Sequence, residues 1–104
     1  MAPAPQETGL KVDIAQAGAR TVVSVSGELD IATVAAFDAA VREQLARGPV
    51  LLDLRALSFM DSSGVRALGA LVRGDGTLAV AADLHPNVRQ VLELTGVISL
   101  LPLE

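Results

Sequence analysis

Four consecutive residues, Asp61-Ser62-Ser63-Gly64, concentrate the chemistry of this chain. Two hydroxyls follow a carboxylate, and an amphipathic pattern begins directly after them. Short polar side chains at such a place accept hydrogen bonds from the first free amides of a helix. A hydroxyl there is also a candidate for covalent modification. Two further polar points stand apart in sequence: Asp30, after a Thr/Val-rich run, and Asp83-Leu84-His85, after a second apolar run. Ser62, His85 and Asp83 have the residue types of a hydrolase triad. The local sequence is Asp-Ser-Ser-Gly, not the Gly-x-Ser-x-Gly elbow. Asp83 and His85 also lie two apart in one segment, a poor way to orient an imidazole. Both facts weigh against catalysis. His85 before Pro86 reads as a surface residue at a helix start.

Composition narrows the chemistry further. The 104 residues contain no cysteine and one histidine, which rules out thiol catalysis, thiolate zinc sites and a multi-histidine metal site. We expect no metal and no cofactor. The net charge is −4 and the only aromatics are two Phe, so direct nucleic-acid binding is not expected. No apolar run approaches the roughly 20 residues of a membrane span, and the N-terminus lacks the regions of a signal peptide. A cytoplasmic protein without membrane insertion is expected. Residues 1–9 read as a flexible tail and 10–104 as one domain.

The elements that would position these residues follow from periodicity. Leu10, Val12 and Ile14 alternate with polar positions, and Arg20 to Ser26 is rich in Thr and Val. Gly18 between them predicts an antiparallel hairpin. Ile31, Val34, Phe37, Val41 and Leu45 predict an amphipathic helix with Asp30 as its N-cap. Val50 to Leu54 predicts a central strand covered on both faces. A second helix begins near Ser62, with Val65, Leu68, Leu71 and Val72 inward. Thr77 to Ala82 predicts another strand. Pro86 opens a third helix that Gly96 ends, and Val97 to Leu101 predicts a last edge strand. Leu51, Leu52, Leu54, Val65, Leu68 and Val80 are the expected core. Asp53 inside an apolar strand needs partners, Arg55 or loop amides. The order gives an α/β fold: a mixed sheet led by a hairpin, with packed helices. Sites in such sheets form at the carboxyl ends of strands, which brings Asp30, Asp61, Ser62 and His85 to one edge.

Leu54-Arg55-Ala56-Leu57-Ser58-Phe59-Met60-Asp61-Ser62-Ser63-Gly64-Val65 resembles the signature of bacterial anti-sigma factor antagonists, which are single STAS domains. Gly27-Glu28-Leu29-Asp30 resembles their second motif, and Pro86 to Gly96 their third helix and its stop. The resemblance spans Leu10 to Leu101. It implies a non-enzymatic protein that binds an anti-sigma factor, itself a serine kinase, and so releases a sigma factor. It implies phosphorylation of Ser62 by that kinase, reversal by a PPM-type phosphatase, and a partner surface that includes Asp30, Asp61, Ser63 and Gly64. The sequence predicts no counterpart, after its last strand, of the C-terminal helix common in the family, which leaves room for a homodimer. Two other roles fit a STAS domain: a subunit of a membrane transport complex docking on an ATPase, and a small-ligand or nucleotide sensor. The serine loop favours the antagonist role over both, because docking alone has no need of an exposed hydroxyl.

Overall fold

A computed structural model describes residues 9–104. The expected tail over 1–9 therefore falls, Gly9 apart, outside the described residues. Strands β1 (Leu10–Ala17) and β2 (Arg20–Leu29) form the antiparallel hairpin, in register from Leu10 opposite Gly27 to Ala17 opposite Arg20. Helix α1 (Val34–Leu45) returns the chain to β3 (Val50–Asp53), which runs parallel to the first half of β2. A short strand β4 (Leu57–Met60) then pairs, also parallel, with the far half of β2. Helix α2 (Ser62–Arg73), strand β5 (Leu78–Val80) and helix α3 (Pro86–Thr95) follow. The strand order is β1-β2-β3-β5, with β4 beside β2. This is the mixed α/β sheet led by a hairpin that the sequence predicts.

Burial explains the arrangement. Val23, Val25 and Leu29 of β2, Leu52 of β3 and Val80 of β5 form one apolar face. Phe37 and Val41 of α1, Leu68 and Leu71 of α2, and Val88 and Leu92 of α3 close over it. The alternate residues Val22, Ser24, Leu51 and Asp53 are only half-buried on the opposite face. This corrects the expectation of a strand covered on both faces. Leu51 is not core, while Leu52, Leu54, Val65, Leu68 and Val80 are. Asp53 answers to Arg55, as expected: the guanidinium donates to both its oxygens, at 2.9–3.2 Å, and the Arg55 amide donates at 3.0 Å.

Four further expectations change. β4 is a strand that the expected element order does not include; it forms because β3 covers only four residues of the ten-residue β2 and leaves the rest of that edge open to pairing. α1 starts at Val34, so Ile31 lies in the preceding turn and is 77% exposed. The fourth expected strand, Thr77 to Ala82, shrinks to Leu78–Val80. The predicted last strand is a 3-10 turn, Val97–Leu100, in which Ser99 donates to the Gly96 carbonyl. Gly96 adopts φ 79°, a left-handed stop that suits glycine. The pairing expected of 97–101 passes to Pro102–Glu104: the Pro102 carbonyl accepts from Val80 and the Glu104 amide donates to Val80, both at 2.9 Å. Proline fits there because only its carbonyl is used.

Candidate functional site

The site lies where β2 and β4 end side by side, with Leu29 opposite Met60. The next residue on each strand is an aspartate, and each aspartate organises the turn that leaves the sheet. Asp61 takes extended backbone angles and caps α2: its Oδ1 accepts from the amides of Ser63 at 2.9 Å and Gly64 at 3.3 Å. Its own amide donates to the Leu29 carbonyl at 3.1 Å, which ties the helix start to β2. The expected cap is thus present, with Ser62 as the first helical residue.

Asp30 does something different from the expectation. Thr33, not Asp30, is the residue before α1. The Asp30 carboxylate accepts from the amides of Ala32 at 3.0 Å and Thr33 at 3.2 Å, which builds a separate turn ahead of the helix. The buried Thr33 hydroxyl donates to the Glu28 carbonyl at 3.0 Å and accepts from the Asp30 amide. This turn pushes Ile31 outward.

Ser62 is exposed, and its hydroxyl makes no hydrogen bond among the described residues. Ser63 is half-buried. Gly64 is buried and faces inward: a methyl group there would stand 2.8 Å from Met60 Cγ and 2.9 Å from Leu29 Cδ2. Its glycine therefore lets α2 sit close against the ends of β2 and β4. His85 also joins this edge as the cap of α3, its Nδ1 accepting from the Asn87 amide at 3.1 Å. The Asn87 side chain donates to the Ser58 carbonyl on β4 at 3.4 Å. With Nδ1 so engaged, His85 is not set up to be oriented by Asp83. Among the described residues, no three His, Cys, Asp or Glu side chains group as a metal ion would require. Among the described residues, no helix is long and apolar enough to cross a membrane.

One feature escapes sequence reasoning. A shallow groove of about 310 Å³ runs between α1 and α2 beside the serines, lined by Ile31, Val34, Ala35, Ser63, Arg66 and Ala67 among others. The period of Ile31 with Val34 and Phe37 hides it, because that spacing also fits a buried stripe. The Asp30 side chain was the available signal, since an aspartate that caps its own turn delays the helix.

A family model described as "Mlab, STAS domain" matches residues 12–102. The anti-sigma-F factor antagonist RsfB of Mycobacterium tuberculosis is 35% identical over 63 residues, 59% of this chain and 52% of that protein. The chain spans about half the length of the curated relatives it matches. The crystal structure of an anti-sigma factor antagonist from Mycobacterium paratuberculosis superposes with a TM-score of 0.81 at 31% identity, covering 90% of this chain and 84% of that one. An antisigma-factor antagonist STAS domain from Rhodobacter sphaeroides gives 0.55 at 28% identity, covering 69% and 85%.

Proposed function

The chain belongs to the STAS domain family, and on that premise we propose that it is an anti-sigma factor antagonist switched by phosphorylation of Ser62. In this proposal it is a binding protein, not an enzyme, and works in the cytoplasm. Its partner is an anti-sigma factor that is also a serine kinase, and a PPM-type phosphatase restores the binding form. The carrying observation is the exposed Ser62 hydroxyl at the first position of α2, without a hydrogen bond among the described residues while Asp61 takes the neighbouring amides.

The physics of that position supports a switch. A phosphate adds roughly −1.5 to −2 charges at neutral pH. The positive end of α2 tolerates that charge, so the fold survives it. Asp61 already occupies the amides of Ser63 and Gly64, so the phosphate would stand outward beside a carboxylate. Asp30 is at the end of the adjoining strand. A partner seated over this edge would have to desolvate all three anions, and binding falls. In this reading Asp30, Asp61 and Ser63 touch the partner, Gly64 sets the loop from beneath, and Ile31 with its groove adds apolar contact.

The test is titration of the cognate ATPase with three forms. Wild type and Ser62→Ala should bind alike, and Ser62→Asp should bind at least about tenfold more weakly with an unchanged fold. Equal affinity for all three would leave plain docking on an ATPase, without a switch, as the better account.

A further inference from the structure

The first strand is an open edge. β1 pairs with β2 on one side, and among the described residues no strand pairs on its other side. Such an edge offers a row of free amides and carbonyls to another strand. Eight residues is long for an unprotected edge.

Its two faces differ. Directly opposed residues in an antiparallel pair share a face. Val12 opposes Val25 and Ile14 opposes Val23, so Leu10, Val12 and Ile14 point to the helix side. The helices stop short of this margin, and Ile14 is left 49% exposed. Lys11 and Asp13 oppose Ser26 and Ser24 on the open face, where they stand 4.0 Å apart, 74% and 68% exposed.

We propose that this edge is a docking surface for a second copy of the chain, through antiparallel β1–β1 pairing centred on Val12. A two-fold axis at Val12 places Leu10 opposite the partner copy's Ile14 on the helix side, where the two would cover each other. It places Lys11 opposite Asp13 on the other face, twice. The segment Leu10-Lys11-Val12-Asp13-Ile14 is complementary to itself when reversed: apolar meets apolar and cation meets anion. Charged residues usually blunt an edge against self-pairing; under this axis they favour it and fix its register. The contact is isologous, as two-fold interfaces are. The two sheets join into one, with both helix layers on the same side and the Ser62 edges of both copies free of the seam.

The experiment is sedimentation of the whole chain at low ionic strength. The wild type should self-associate with a Kd between about 1 µM and 1 mM, the span of small, transient contacts. Lys11→Asp and Asp13→Lys each put like charges face to face, and each alone should dimerise at least about tenfold more weakly. Both side chains are exposed, so both variants should melt as the wild type does. Mixed one to one, the two variants should recover dimers of wild-type strength, because each cross-strand pair is again opposite in sign. Amide exchange should slow along β1 as wild-type concentration rises. A wild type that stays monomeric, variants that self-associate unchanged, or a mixture that stays apart would each overturn the proposal.

Discussion

Two glycines on one helix should respond oppositely to the same substitution. At Gly64 an added methyl group meets Met60 Cγ at 2.8 Å and Leu29 Cγ and Cδ2 at 2.9 Å. Both neighbours are buried, so neither can swing away. Overpacking of this kind costs about 1–3 kcal/mol. Alanine's better helix propensity returns at most about 0.5–1 kcal/mol. The net loss for Gly64→Ala is near ~1 kcal/mol, or about 4–8 °C in Tm for a domain of this size. At Gly69 the nearest atoms to the same methyl are the guanidinium end of Arg73, from 3.4 Å, and that end can move. Gly69→Ala should therefore gain about 0.5–1 kcal/mol. Thermal and urea unfolding of both variants, compared at equal concentration, reads the two signs. A Gly64→Ala variant as stable as the wild type would refute the close seating of α2 on Leu29 and Met60. A destabilised Gly69→Ala would refute the argument that neighbour mobility decides the sign.

Leu68 is fully buried in the core cluster, so Leu68→Ala should lose about 2–5 kcal/mol in urea unfolding. Asp30→Asn keeps the turn acceptor for Ala32 and Thr33 and should hold the melting temperature while weakening partner binding, measured by titration calorimetry. The Arg55 side chain donates to Asp53 and holds its carboxyl below the ordinary 3.8, against the opposing pull of burial. A lowered folded value means that the stabilisation is complete above pH 3.8 and disappears as the pH falls toward that lower value. Asp53→Asn should accordingly flatten this part of the acid limb in unfolding curves recorded from pH 6 downward, and leave its slope above pH 5 unchanged.

The residues of the site were more legible than the frame around them. Asp61 reads as a cap because its function is local: an acceptor, two small residues and an apolar period suffice, and the structure has that cap. The exposure of Ser62 follows from its place as the first helical residue. What failed depends on distant partners or on competing local bonds. β4 exists because β2 outruns β3, and nothing in Leu57-Ser58-Phe59-Met60 announces that vacancy. Ile31 fits the helical period, yet the Asp30 carboxylate and the Thr33 hydroxyl close a separate turn first. Leu51 sits in an apolar run, but its face of the sheet is left half-buried, and among the described residues the helices' buried side chains pack on the other face. Val97 to Leu101 has strand composition, and the Gly96 carbonyl captures Ser99 into a 3-10 turn instead.

The central claim is that Ser62, and not its neighbour, carries the switch. Wild type, Ser62→Ala and Ser63→Ala should each be incubated with the cognate kinase and ATP, then mapped by peptide mass spectrometry. Phosphate should be found on Ser62 in the wild type and in Ser63→Ala, and be absent from Ser62→Ala, with partner affinity falling in step with its incorporation. Phosphate on Ser63, or none in the wild type, would contradict the account.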